Sequence, residues 1–153
     1  MDKVRIILPQ ERLTAVNMRI DGKPYVGVIN EGLLDFGYKD VFRWYLSLII
    51  DYERTVGEGM PDKDDTLKMQ NFSDALTKGL SGDSVHPNAL FLGRVTGDGY
   101  TQIMWYVNNP DTAEKYLKKL IESKNYPLDF DYEMTSDPAW SEAAYWLNPL
   151  TTK

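Results

Sequence analysis

Three carboxylates alternate along one short stretch of the sequence, in a pattern that could hold a metal ion. Asp129, Asp131 and Glu133 are separated by single residues, and Asp137 follows closely. In a β-strand, alternate side chains project from the same face, so the three carboxylates would lie side by side. Oxygen ligands of this kind suit Mg²⁺ or Ca²⁺. A site built from them would support a metal-assisted hydrolase or bind a small ligand.

The same alternation is also typical of the solvated side of an edge strand, where charges discourage further strand pairing. Phe130, Tyr132 and Met134 occupy the positions between the acids, as such a strand requires. The spacing of glycine and glutamate in a helix–loop–helix calcium site is absent. We therefore favour the edge strand, and we predict no metal site and no cofactor.

Other groups that could do chemistry have structural explanations. Asp62, Asp64 and Asp65 precede an apolar helical stripe, where carboxylates favour the positive end of the helix dipole. His86 is the only histidine, and there is no cysteine. Thiolate catalysis is thereby excluded, and no nucleophile elbow accompanies a neighbouring serine. The sequence assigns no catalytic residue.

The segment from Phe91 to Val107 indicates a hairpin. Its glycine-containing stretch, Gly97-Asp98-Gly99, connects two apolar runs and is typical of a turn rather than a phosphate loop. Ile103, Trp105 and Val107 would share the core face of the second strand.

The opposite face of this hairpin, with an arginine and the C-terminal aromatic residues, is the candidate interaction surface. Its members are Arg94, Tyr100, Gln102, Met104, Tyr106, Trp140, Tyr145 and Trp146. An open face rich in aromatic rings, with Met and Arg, suits a protein partner. Simple packing, in which the C-terminal aromatic segment covers that face, is the default interpretation for all of these residues.

Local patterns predict the elements that would position these groups. Besides the hairpin, the expected strands are Leu13–Ile20, Pro24–Ile29, Val41–Tyr52 and Pro127–Met134. One helix is indicated by Met69, Phe72, Leu76 and Leu80, which recur at spacings of three and four. A second begins at Asn109-Pro110, a strong start signal. A short extra strand within Glu31–Lys39 and a short closing turn over Ala139–Leu147 complete the expectation.

Strand pairs joined by short turns favour an antiparallel sheet, and two amphipathic helices can cover one face of it. We predict an α+β fold of the ferredoxin-like, split β-α-β type. We predict a single domain over residues 1–153, with a seam between two halves near residues 79–88.

Composition limits the classes of partner. The chain has 153 residues, 42% of them hydrophobic, and a net charge of −6. An acidic surface repels phosphate groups, so we expect neither nucleic acid nor an anionic membrane as partner. Lack of cysteine fits a reducing compartment, and no stretch matches a signal peptide or a membrane span. We predict a cytoplasmic protein, either a monomer or a homodimer formed through an exposed strand edge.

Three segments carry a resemblance to a known family. They are Asp21–Leu33, Ala89–Leu120 and Asp131–Pro149, and they contain Gly93-Arg94-Val95-Thr96 with Gly99, Asp137-Pro138 with Trp140, and Leu147 with Pro149. In these elements the chain resembles the bacterial domain-of-unknown-function family 695 from about Leu13 onward. It departs from that pattern at Ala143–Trp146, where the family is more uniformly aromatic.

The resemblance implies a fold more than a function, because the family has no established activity. Its members are distantly similar to the ribonuclease E regulator protein B family, whose acidic, ferredoxin-like inhibitor binds another protein; this link is an analogy of fold. We therefore predict a non-enzymatic, regulatory or protein-interaction domain with a protein partner. A metal-assisted hydrolase or small-ligand-binding domain that uses the acidic last strand remains the alternative.

Overall fold

A computed structural model describes the backbone of residues 7–151 and the side chains of residues 7–148. In chain order these residues form β1 (Leu13–Ile20), β2 (Lys23–Asn30), β3 (Trp44–Asp51), α1 (Lys63–Ser81), β4 (Ala89–Gly97), β5 (Tyr100–Val107), α2 (Pro110–Ser123), β6 (Asp131–Ser136) and α3 (Ser141–Thr151). The strands make one six-stranded sheet in the order β1-β2-β4-β5-β3-β6. Every neighbouring pair is antiparallel. The predicted α+β class with an antiparallel sheet is confirmed.

Two tight hairpins set the register of the sheet. Asp21 and Gly22 join β1 to β2 with φ angles of 52° and 78°, and Asp98 and Gly99 join β4 to β5 with φ angles of 50° and 86°. Two-residue turns with both φ angles positive match the right-handed twist of their strands. The hairpins that the sequence indicated are confirmed.

The two long helices begin at side-chain caps. Asp62 accepts a hydrogen bond from the backbone N–H of Asp65 over 2.8 Å at the start of α1. Asn109 accepts from the N–H groups of Asp111 and Thr112 at the start of α2, where Pro110 is the first helical residue. Such caps satisfy donors that the first helical turn leaves without partners. The helix start is acidic as expected, but the prediction that Asp64 or Asp65 caps it is wrong, because both lie inside the first turn and Asp62 is the cap.

One face of the sheet packs against α1 and α2. This helix-side core includes Leu46, Leu48, Ile50, Met69, Phe72, Leu76, Leu80, Ile103, Trp105, Val107, Ala113 and Leu117. Trp105 is fully buried, and its indole N–H donates to Thr77 Oγ1 over 2.9 Å. The predicted core face of β5 and the predicted apolar stripe of α1 are confirmed.

The opposite face of the sheet is also covered, a point that the sequence did not decide. Two short 3₁₀ turns, Glu31–Leu33 and Lys39–Val41, occupy the segment after β2. Phe36 and Phe42 in this segment are buried, and α3 packs beside them in the same core. The extra strand predicted within Glu31–Lys39 is therefore wrong, and the closing segment is a helix rather than a turn.

Asn30 explains why the chain leaves the sheet after β2. Its side-chain oxygen accepts hydrogen bonds from the backbone N–H groups of Arg12 and Gly32. Its amide nitrogen donates to the carbonyl of Phe91 in β4 over 3.0 Å. Local bonds of this kind compete with continued strand pairing, so the backbone turns across the face instead of extending β2.

The tight pairing of β2 with β4 requires glycine at position 27. A Cβ atom there would overlap the Arg94 carbonyl and lie 2.8 Å from Val95 Cα, both of them backbone atoms of β4. We expect Gly27→Ala to lower the free energy of unfolding by about 2 kcal/mol or more, because backbone cannot move aside without breaking the strand pair.

The matched control is Gly37→Ala. A Cβ at Gly37 meets nothing within 4 Å, so this variant should unfold at nearly the wild-type urea concentration. Equal urea midpoints for the two variants would show that β2 and β4 are farther apart than described here.

Candidate functional site

Helices α1 and α2 do not cover the whole width of the sheet face on which they pack. Val16, Met18 and Ile20 of β1 pack against the opposite core, so the alternate residues of β1 point to the helix side. These residues, Leu13, Ala15, Asn17 and Arg19, are exposed. Since β1 and β2 extend beyond the reach of α1, a strip of sheet stays open to solvent.

A groove runs between α1 and this open strip; we call it the Arg94 groove. It consists of two adjoining hollows of about 420 Å³ and about 390 Å³, and Arg94 lines both. The apolar lining of the larger hollow comes from Val26, Val28, Met60, Pro61 and Met69. The smaller one is lined by Leu13 and Phe91 on the sheet side, by Glu11 before β1, and by Asp74, Thr77, Lys78 and Ser81 of α1.

Arg94 places a cation at the centre of the groove. Its side chain is only 17% exposed, and Asp74 Oδ1 lies 4.0 Å from its Nη1 atom. Nη1 donates to Ser73 Oγ over 3.3 Å. Arginine has five N–H donors, so among the described residues most of these donors have no protein acceptor. The groove thus offers hydrogen-bond donors to an anionic group.

The groove is elongated. Its α1 wall extends from Thr66 to Ser81, a distance of about 22 Å at the helical rise per residue. A trough of this length suits an extended chain better than a compact small molecule.

Three residues of the predicted interaction surface belong to the core. Met104 and Tyr106 are fully buried and Trp140 is 2% exposed. The rings of Tyr106 and Trp140 stack with centroids 4.1 Å apart and planes inclined by 17°. The prediction that this face of β5 is open is therefore wrong, because the segment between β2 and β3 and helix α3 cover it. Simple packing, the default interpretation, describes these three residues.

The other members of that surface are separated in space. Tyr100, Gln102 and Trp146 are half-buried, while Tyr145 is 60% exposed. Arg94 lies on the opposite, helix-covered face of the sheet. Of the eight predicted residues, the structure leaves Arg94 in a groove and Tyr145 on the surface. A role for Tyr145 in binding a partner stays a prediction.

The family model for a family of unknown function (DUF695) matches residues 14–145. The chain belongs to this family. No curated protein and no solved structure gives a significant match. Membership in DUF695 brings no activity with it, so function has to be argued from the site itself.

The Asp-Pro-x-Trp element of this DUF695 chain closes the second face of the sheet. Tyr106 donates its hydroxyl hydrogen to Asp137 Oδ2 over 2.7 Å. The same carboxylate accepts from the backbone N–H groups of Ser141 and Glu142 at the start of α3. The indole N–H of Trp140 donates to the carbonyl of Phe42 over 2.8 Å. One carboxylate thus caps α3 and attaches it to the central strand β5.

These contacts shift the pKa values of Asp137 and Tyr106. Burial raises the pKa of Asp137, but hydrogen bonds from Glu142, Tyr106 and Ser141 outweigh it and leave that pKa below its usual value. Burial, followed by the hydrogen bond to Asp137, raises the pKa of the Tyr106 hydroxyl far above its usual value. At neutral pH the bond therefore joins a phenol to a carboxylate, which is a strong charge-assisted pair.

The acidic residues considered as metal ligands do not converge. Strand β6 begins at Asp131, so Asp129 precedes it, and Asp131 and Glu133 are exposed. Among residues 7–151, no group of three histidine or acidic side chains is arranged to hold a metal ion. His86 lies on the surface with Nδ1 3.5 Å from Asp83 Oδ2.

Across the same described residues, no helix is long and apolar enough to cross a membrane.

Sequence reasoning singled out Arg94 but missed the groove around it. The signal available in the sequence was the strand LTAVNMRI, because its alternate residues Leu13, Ala15, Asn17 and Arg19 include only one charged side chain. In the structure these four residues are exposed and belong to neither core. The walls come from Met60 and Pro61 before α1 and from the polar flank of α1. No local pattern connects these segments to β2.

We expect Asp137→Asn to lower the free energy of unfolding by about 2 kcal/mol at neutral pH, because a charge-assisted acceptor is lost. Since folding lowers the pKa of Asp137, its stabilising effect is complete above the unfolded value near pH 3.9. The effect disappears as the pH falls through the lower, folded pKa. Urea unfolding from about pH 7 to about pH 3 should therefore show a flatter acid limb for the variant.

Asp131→Asn is the matched control, because this residue is exposed on the edge strand β6. It should follow the wild-type curve throughout the pH range. If Asp137→Asn also follows the wild-type curve, the carboxylate does not attach α3 to the sheet in the way described.

Proposed function

We propose that this DUF695 chain is a non-enzymatic protein-interaction domain that binds an extended segment of a protein partner in the Arg94 groove. The segment has apolar side chains and one carboxylate. The observation that carries this proposal is the half-buried Arg94 guanidinium, which faces an apolar-lined trough and has no acceptor among the described residues for most of its donors.

The apolar lining supports binding of a chain rather than of an ion alone. Leu13 is 45% exposed and Val26 is 42% exposed, and both lie along the groove. Each Å² of apolar surface removed from water contributes about 25 cal/mol. Side chains of a partner that cover these residues would gain this contribution on binding.

Charge supports a carboxylate on the partner. Arg94 can bind a carboxylate through two parallel N–H bonds, a geometry for which guanidinium is suited. The Asp74 side chain is 82% exposed, and its Oδ1 lies 4.0 Å from Arg94 Nη1, outside hydrogen-bond distance. Because Asp74 is mostly in contact with solvent, its attraction to Arg94 is screened, and an incoming carboxylate can take its place.

Shape supports an extended conformation. The α1 wall is about 22 Å long, which equals six or seven residues of extended chain at about 3.3 Å each. Alternate side chains of such a segment would face the sheet strip, and the others would face solvent.

The topology explains how the open strip arises. From β3 to β6 the elements follow the order β-α-β-β-α-β, which we infer to be a ferredoxin-like core. The hairpin β1–β2 extends that core beside β4 and creates the open strip. The resemblance to the bacterial ribonuclease E regulator is consistent with protein binding, and the acidic, cysteine-free composition is consistent with action in the cytoplasm.

Two synthetic peptides test the proposal: acetyl-Thr-Val-Val-Glu-Val-Val-Thr-amide and the same peptide with Gln in place of Glu. We expect the Glu peptide to shift the NMR signals of Val26, Val28, Met69 and the Arg94 Nε–H group. It should bind about ten-fold more tightly than the Gln peptide, because only the carboxylate pairs with guanidinium.

Arg94→Gln should reduce binding of the Glu peptide to the level of the Gln peptide. Arg54→Gln is the matched control, since it removes the same charge from an exposed residue outside the groove. Equal effects of the two substitutions, or NMR shifts confined to other surfaces, would overturn the proposal. So would the absence of shifts with both peptides.

A further inference from the structure

Among residues 7–151, strand β1 is one edge of the sheet, and half of its backbone groups have no partner strand. The pair Ile20–Lys23 closes the two-residue hairpin, so Ile20 exchanges backbone hydrogen bonds with β2. In an antiparallel ladder this bonding alternates along the strand. Ala15, Asn17 and Arg19 therefore direct their N–H and C=O groups away from β2, toward the open edge.

The two edges of the sheet differ in how they discourage pairing. The edge strand β6 has six residues, and Asp131 and Glu133 project from it. The edge strand β1 has eight residues and only one charged side chain, Arg19. It pairs with β2 over its full length without a register shift. A long, regular edge with little charge is the kind that accepts another strand.

We propose that β1 pairs antiparallel with β1 of a second copy of this chain, about a two-fold axis at Asn17. A two-fold axis perpendicular to the sheet keeps the side chains of both copies on the same faces. If the axis passes through Asn17, the residues whose backbone groups point to the open edge, Ala15, Asn17 and Arg19, pair with the same residues of the second copy. Centring the axis on Asn17 opposes Ala15 to Arg19 and keeps Thr14–Ile20 of both copies in the ladder. Centring it on Ala15 would use a shorter part of β1.

This register is self-complementary on both faces. On the α3 side, Val16 of one copy opposes Met18 of the other, and both already pack against the core of that face. On the groove side, Arg19 opposes Ala15, so no like charges face each other directly. The two Arg19 residues are four positions apart along the strand, about 14 Å, which exceeds the screening length in ordinary salt.

The pairing joins two six-stranded sheets into one and leaves the Arg94 groove accessible. Because the two-fold axis preserves the faces, the two grooves lie on the same side of the joined sheet. The proposal does not depend on what the groove binds, since it rests on the backbone and side chains of β1.

The full chain should sediment as a dimer that dissociates on dilution. In the dimer, the backbone N–H groups of Ala15, Asn17 and Arg19 should exchange slowly with D₂O and become faster as the protein is diluted. A monomer at the highest soluble concentration would overturn the proposal, and would leave the β1 edge to a strand of another protein.

Variants test the edge and the register separately. Asn17→Pro removes an outward N–H that β2 does not use, so it should give a monomer with little change in melting temperature. Ala15→Lys should weaken the dimer and Ala15→Glu should strengthen it, because each substitution meets Arg19 of the second copy. The dissociation constants of these two variants should differ about ten-fold.

Ala139→Lys is the matched control, because it adds the same charge at an exposed position away from β1. It should leave the dissociation constant of the dimer unchanged, apart from the general charge repulsion that appears at low salt. A dimer that persists in both Asn17→Pro and Ala15→Lys would overturn pairing through β1. Equal weakening by Ala15→Lys and Ala15→Glu would overturn the register.

Discussion

The hydrogen bond from Tyr106 to Asp137 is the contact on which the second face of the sheet depends. It joins the central strand β5 to the start of α3 through a buried phenol and a carboxylate. The carboxylate also caps α3, and the stacked ring of Trp140 covers Tyr106. Loss of the carboxylate would leave helix N–H groups and a phenol without acceptors in an apolar environment, where each unsatisfied group is costly.

Closing this face determines where the protein can bind. With α3 and the segment between β2 and β3 on one side, and α1 and α2 on the other, the central strands have no free surface. The sheet is nevertheless wider than the two long helices that cover it. The added hairpin β1–β2 projects beyond α1, which leaves the Arg94 groove and the outer edge of β1 open.

Several elements could be predicted from sequence because their causes are local. The turn residues Asp21-Gly22 and Asp98-Gly99 fix both hairpins, since these residues tolerate positive φ. Asn109 and Pro110 start α2. The 3₁₀ turns after β2 could not be predicted, because the side-chain bonds of Asn30 to three separate segments end that strand. Proximity of this kind is a property of the folded chain.

The sequence by itself determined the class of fold, which side chains alternate between the two faces of each strand, and which arginine and aromatic side chains are available for binding. It could not determine which face each strand presents to solvent. Alternation assigns residues to two faces of a strand, but burial depends on which distant segments cover each face. Tertiary structure therefore placed Tyr106 and Trp140 in the core and left Arg94 in a groove, because α3 packs over β5, whereas the outer residues of β1 and Val26 of β2 stay exposed beside α1.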